Sequence, residues 1–261
     1  MKLNIETKDL LGAIDVPAQW VGLREVYEAH TPRMIRDGVP VANAKTSTHG
    51  IMVEVLVDGQ FGYYGTPDMS TSGISNAAKK AYKQAKIASE NAIFNFDDSA
   101  RPAHRGEYQS PFIKNASSLS AGNLNDILME AYSNLKVSDK IVSASSLCQL
   151  IETTSKFVSS NGSDIRQDFL MLEFDLSATA VDGPNQQTRT FGGMRGTCRQ
   201  MGLEYFDKYE IMANANRIGE QAIELLDAKD CPTGEMDLII APDQMMLQIH
   251  ESIGHALEVD R

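Results

Sequence analysis

No run of 18 unbroken apolar residues, the length at which a membrane-spanning helix becomes a candidate, occurs anywhere in the sequence. The opening Met1–Lys8 has none of the apolar centre of a secretory signal, so the cytoplasm is the expected location. Cysteine is scarce. Cys148, Cys198 and Cys231 are an odd set of three with no C-x-x-C pair, so no disulfide framework is implied. Each is expected to serve as a small buried or half-buried hydrophobe. Positive charge is in deficit, 24 Lys and Arg against 35 Asp and Glu, for a formal net charge of −11. That balance argues against nucleic acid or an anionic membrane as a partner. Phe191-Gly192-Gly193 lacks the G-x-x-x-x-G-K-[ST] pattern of a phosphate loop and reads as a glycine-eased strand or bulge. Internal repeats and low-complexity tracts are missing too.

What is present is a globular composition: 261 residues, 42% hydrophobic and 23% charged, enough for one large domain or two small ones. Residues 17–65 read as an antiparallel meander, with Asp37-Gly38 and Asp58-Gly59 as hairpin turns and Gly62 and Gly65 as turn or bulge positions. Residues 70–94 switch to a helical period through Ile74, Ala77, Ala78, Ala81 and Ala85, with Ser70 or Thr71 as cap. Lys79, Lys80, Lys83 and Lys86 then form a solvated face. Residues 95–115 read as a loop with His104 exposed, and a second helix is expected over 123–134. Residues 137–182 return to strand, punctuated by Asn161-Gly162 and closed by the turn at 182–185. The clearest helix covers 209–228. Lys229–Gly234 is the best linker, and 236–241 is expected to be a strand broken by Pro242-Asp243.

The chemistry gathers in His250-Glu251-Ser252-Ile253-Gly254-His255, followed by Glu258 and Asp260. Neutral imidazole is the commonest protein ligand of catalytic zinc, and a Glu beside the first ligand is placed to take the proton of an attacking water. The familiar helical form is H-E-x-x-H, with the two His four apart. Here they are five apart. Four residues on a regular helix bring side chains within about 40° of each other, whereas five leave them about 140° apart. A one-residue π-bulge returns positions five apart to one face, and Gly254, tolerant of unusual dihedrals, is the natural place for it. Without such a distortion the two residues are simply two histidines of a helix start, one buried and one solvated.

The stretch Ala241-Pro242-Asp243 through His250, Glu251, Gly254, His255, Leu257, Glu258 and Asp260 resembles the H-E-x-x-G-H-x-L-E-x-D signature of the TldD/PmbA family of metallopeptidases. Elsewhere the resemblance lies in the order of elements. It implies that His250 and His255 hold the metal, with Glu251 as general base, acting on short or unfolded peptides in a homodimer or a heterodimer with a related subunit. Arg195 is then a candidate for the wall of a substrate channel. The resemblance also implies a downstream cysteine as third ligand, in a β-rich second half about as long again. None of the three cysteines lies where that ligand belongs, so the sequence is expected to be the N-terminal half of such a protein. Two imidazoles leave a catalytic zinc short of its usual three protein ligands. Glu258, and less well Asp260, could supply the third or could orient an imidazole through its other nitrogen.

The expectation is therefore an α+β fold, antiparallel sheet with two to three packed helices over 1–229, then the start of a β-rich domain over 230–261 carrying the motif helix. The expected function is a Zn2+-dependent peptidase, with iron or manganese also compatible with two imidazoles. The alternative is a non-catalytic α+β interaction domain that binds a partner subunit or a peptide.

Overall fold

The computed structural model describes residues 7–116, 119–192 and 196–258. In chain order the elements are α1 (Thr7–Leu11), β1 (Trp20–Arg36), β2 (Val39–Asn43), β3 (Thr46–Val57), β4 (Gln60–Thr66), α2 (Thr71–Ser89), β5 (Arg105–Gln109), α3 (Ala121–Leu135), β6 (Ile141–Ser159), β7 (Asp164–Asp182), β8 (Asn185–Thr190), α4 (Glu204–Lys208), α5 (Ile211–Glu224) and α6 (Pro242–Ile249). The fold is α+β. The strand order is β4-β3-β1-β6-β7-β5, with β2 beside β1 and β8 beside β7. Contacts divide the chain into two compact units, and the long strands β1, β6 and β7 contribute residues to both.

The first unit comprises residues 1–30, 45–110 and 151–170. Here β1 runs antiparallel to β3 from Trp20↔Leu56 to His30↔Thr46, and β3 to β4 from Ile51↔Thr66 to Val57↔Gln60. Asp58 and Gly59 both take positive φ, 50° and 77°, as a two-residue hairpin turn requires, and Asp37-Gly38 repeats the device between β1 and β2. The Ser70 hydroxyl accepts from the Gly73 amide at 3.1 Å and caps α2. Alternation does the rest. Leu23, Ile51, Val53 and Val55 face one side of the sheet, where Ile74, Ala77, Ala78, Ala81 and Ala85 of α2 cover them. Gly62, expected at a turn or bulge, has a different job. A Cβ there would lie 2.0 Å from the Ala81 carbonyl oxygen, so the bare backbone of β4 is what lets the alanine face of α2 come down. The helix ends at Ser89, short of Ala92, because its buried stripe stops at Ala85.

The second unit comprises 31–44, 111–150 and 171–261. Leu124, Leu128, Ala131 and Leu135 of α3 and Ile211, Ala215, Ile218 and Ala222 of α5 cover Ile141, Ala144, Leu172, Phe174, Leu176 and Ala178 of β6 and β7. Each fully buried Leu or Ile contributes about 1.5–3 kcal/mol by leaving water. The expected helix over 209–228 is divided: α4 lies just before it, Glu210 adopts the left-handed region at φ 44°, and a 3₁₀ turn over Leu225–Asp227 ends it.

Three local expectations change. The loop over 95–115 contains β5, which pairs in parallel with β7 from Arg105↔Asp164 to Gln109↔Asp168. Its sequence, Arg-Gly-Glu-Tyr-Gln, is exposed throughout and carries no apolar alternation to announce a strand. No strand forms over 236–241; Leu238 and Ile239 are exposed, and no neighbouring strand pairs with their backbone among the described residues. Cys148 is buried and Cys198 half-buried as expected, but Cys231 is exposed; all three are free thiols. His104 and the four lysines of α2 are exposed. No described helix is long and apolar enough to cross a membrane.

Candidate metal centre

The motif begins where α6 ends. Pro242 occupies the first turn of α6, where its missing amide costs nothing, and Ala241 is the extended residue before it. After Ile249 the helix widens into a π-turn over His250–Gly254, and the His255 amide donates to the His250 carbonyl, five residues back. A 3₁₀ turn over His255–Leu257 follows, and Glu258 leaves the helix with extended dihedrals (φ −68°, ψ 129°).

The widened turn cancels the angular error of a five-residue spacing. The His250 and His255 rings sit 4.3 Å apart between centroids at 60°. Gly254 serves this arrangement through space. Its dihedrals (φ −55°, ψ −56°) are ordinary right-handed helix, contrary to the expectation of an unusual conformation. A Cβ on it would stand 2.9 Å from the His250 Nδ1 and 3.5 Å from Cγ. The ring fills the space that a side chain would take.

One ligand atom each from His250, Glu251 and His255 lie within 4.8 Å of one another, and no other such group of three occurs among the described residues. His255 Nε2 lies 3.7 Å from Glu251 Oε2. Two nitrogens bound to one zinc at about 2.0–2.1 Å stand about 3.3 Å apart at the tetrahedral angle. Exposed His250 and half-buried His255 reach that by modest side-chain rotation, so the donor set fits a borderline divalent ion. Glu258 Oε1 meets His255 Nδ1 at 2.7 Å, on the ring edge away from Glu251. Asp260 and Arg195 lie outside the described residues.

One titratable pair had no forerunner in the sequence reading. His49 Nε2 lies 2.8 Å from Glu25 Oε1, whose side chain is fully buried in the first unit. Glu25 shares a strand face with Val21 and Leu23, and a carboxylate in that alternation was the available signal. No third ligand-type residue joins the pair in a metal-type group among the described residues.

Residues 23–85, from β1 to the body of α2, match the family model described as PmbA/TldA metallopeptidase domain 1. A metalloprotease of Methanothermobacter thermautotrophicus is 26% identical over 264 residues, which cover 99% of this chain and 55% of that protein. The chain is thus similar to proteins of the TldD/PmbA family. A second relative, a metalloprotease of Methanocaldococcus jannaschii, is 27% identical over 213 residues, 81% of this chain and 46% of its own length. The chain thus spans about half the length of the curated relatives it matches. Among solved structures, a Thermotoga maritima protein described as a candidate DNA gyrase modulator aligns with TM-score 0.63 at 15% identity, over 82% of this chain and 46% of that one. TldE of Thermococcus kodakarensis aligns with TM-score 0.53 at 13% identity, over 84% and 46%. These two likenesses concern the fold.

Proposed function

We propose that this chain carries the metal-binding half of a peptidase site. The convergence of His250, Glu251 and His255 across a π-turn supports the reading, and relatives named metalloproteases support the reaction class. His250 and His255 would hold the ion, zinc by the softness and number of the imidazoles. When bound, the ion supplies a Lewis acid that polarises the peptide carbonyl and makes water a better nucleophile.

The remaining work falls to side chains. Glu251 stands next to the first imidazole with its carboxylate exposed on the side of His255 Nε2. A carboxylate there accepts the proton of the attacking water on Oε2 and delivers it to the leaving amine as the peptide bond breaks. A third protein ligand completes a catalytic zinc. Glu251 is reserved for the proton and Glu258 is engaged with Nδ1; for the third place the family resemblance implies a cysteine beyond the motif. Short or unfolded peptides as substrates and assembly as a dimer, with itself or a related subunit, belong to the same reading.

The test is Glu251→Gln in the full-length protein. It should keep the ion and lose peptidase activity by about 10²–10⁴-fold, the usual worth of a positioned acid–base group. Undiminished turnover in this variant would remove Glu251 from the reaction.

A further inference from the structure

Glu258 stands in the motif with two roles open to it, ligand or support, and the geometry separates them. The Oε1···Nδ1 distance of 2.7 Å is that of a strong hydrogen bond. An ionised carboxylate only accepts, so Nδ1 of His255 is the donor in this pair, and in the neutral ring that a metal ligand requires the lone pair is then on Nε2. Nδ1 and Nε2 lie on different edges of the ring. Nε2 is the edge turned to Glu251, 3.7 Å from its Oε2, and Glu251 is one of the three residues whose ligand atoms gather with those of His250 and His255. Glu258 is not a member of that cluster.

The backbone explains why the carboxylate arrives on the far edge. The 3₁₀ turn over His255–Leu257 ends at Glu258, whose extended dihedrals take it out of the helix three residues after His255. A continuing α-helix would keep residue 258 stacked along the same face as 255. The exit lets the side chain fold back to Nδ1. On the other imidazole, the Nδ1 edge of His250 lies toward Gly254, with no room for a side chain between them.

We propose that Glu258 is a positioning residue: it holds the proton of His255 on Nδ1 and the ring at a fixed angle, so that Nε2 is the donor atom presented to the ion, and it does not bind the ion itself. The proposal rests on the metal-site reading given above. Carboxylate partners of this kind are worth about 10–100-fold in metal affinity.

Two readouts test it on the full-length protein. The first needs no metal. With histidine labelled by ¹⁵N, the nitrogen shifts of the apo protein above the titration range of imidazole report which ring nitrogen carries the proton. His255 is expected as the Nδ1–H form in the wild type and in Glu258→Gln, whose amide oxygen still accepts. In Glu258→Ala it should revert to the Nε2–H form that an unrestrained imidazole prefers. The second readout is Zn2+ affinity, by competition with a chromophoric chelator. Glu258→Ala should bind about 10–100-fold more weakly, and Glu258→Gln should recover most of the loss. An Nε2–H wild type overturns the proposal, as does Glu258→Ala with unchanged affinity. Equal, large losses in the Gln and Ala variants would make Glu258 a ligand and also overturn it. A wild type that takes up no Zn2+ would sink the metal-site reading, while the tautomer of His255 would still judge the role of Glu258.

Discussion

Replacing Gly254 by alanine separates the stability of the motif helix from its chemistry. Within a helix, alanine is favoured over glycine by about 1 kcal/mol, because glycine gives up more backbone freedom on folding. Gly254 already has helical dihedrals, so the backbone accepts the change. The new Cβ, however, would stand 2.9 Å from His250 Nδ1, against 3.4 Å where ordinary contact begins. The exposed His250 ring must retreat by about 0.5 Å, and swinging it into water costs the fold little. That displacement equals the whole tolerance of about 0.5 Å within which a site has to hold its ligands. The expected result for Gly254→Ala is unchanged or slightly higher thermal stability with Zn2+ affinity down by about tenfold, equivalent to about 1.4 kcal/mol. Chelator competition and a melting curve on one preparation measure both. Unchanged affinity would refute the idea that the glycine makes room for the ring. Loss of affinity accompanied by a large loss of stability would point to a helix fault instead.

Three further outcomes follow from the packing and the electrostatics. Gly62→Ala puts a Cβ 2.0 Å from the Ala81 carbonyl and 2.8 Å from the Ala85 amide, backbone atoms that cannot swing aside, so it should destabilise by at least about 2 kcal/mol; an unmoved urea midpoint would show that α2 has slack. Burial, reinforced by the nearby Glu173, pushes the Cys148 thiol up to about 12, and burial also raises that of Cys198. A thiol reagent at neutral pH should therefore titrate exposed Cys231 first, Cys198 more slowly, and Cys148 only on unfolding; prompt reaction of Cys148 in the native protein would contradict that order. Partial burial raises the Glu204 carboxyl, but the amides of Lys114 and Gly202 outweigh it and hold the group down at about 2. A folded value below the unfolded one stabilises the protein fully above about 4.5 and progressively less as the pH falls toward 2. Glu204→Gln should then cost about 2 kcal/mol at pH 7 once solvent screening is allowed for, and much less near pH 2.5; an equal cost at both pH values would rule the linkage out.

Much of this molecule was legible from one dimension, and for identifiable reasons. Alternation in Ile51, Val53 and Val55 and the helical period of Ile74, Ala77, Ala78, Ala81 and Ala85 both record burial on one face, so strand and helix could be told apart. The Asp-Gly turns could be read because few residue pairs tolerate their dihedrals. The π-turn was legible through a chemical demand, since two imidazoles five apart meet only if the helix widens. What escaped lacked a local signal. Strand β5 is polar and exposed, and only its pairing partner, over fifty residues later, makes it a strand. The apolar run at 236–241 has strand composition without a partner strand among the described residues, and composition alone does not fix a ladder. The role of Gly62 depends on a helix that arrives from elsewhere, and that of Gly254 on the ring four residues before it. Neither could be ranked from the identity of the residue. Glu258 remained between ligand and support until the exit from the helix showed which edge of His255 it reaches.

The most direct measurement is metal content. Full-length protein, stripped and reloaded with Zn2+, should carry one ion per chain, and the variant with both His250→Ala and His255→Ala should carry none while keeping its circular dichroism and its melting transition. A wild type that binds no ion after reloading, or a double variant that keeps one, would contradict a metal held by two imidazoles across the π-turn.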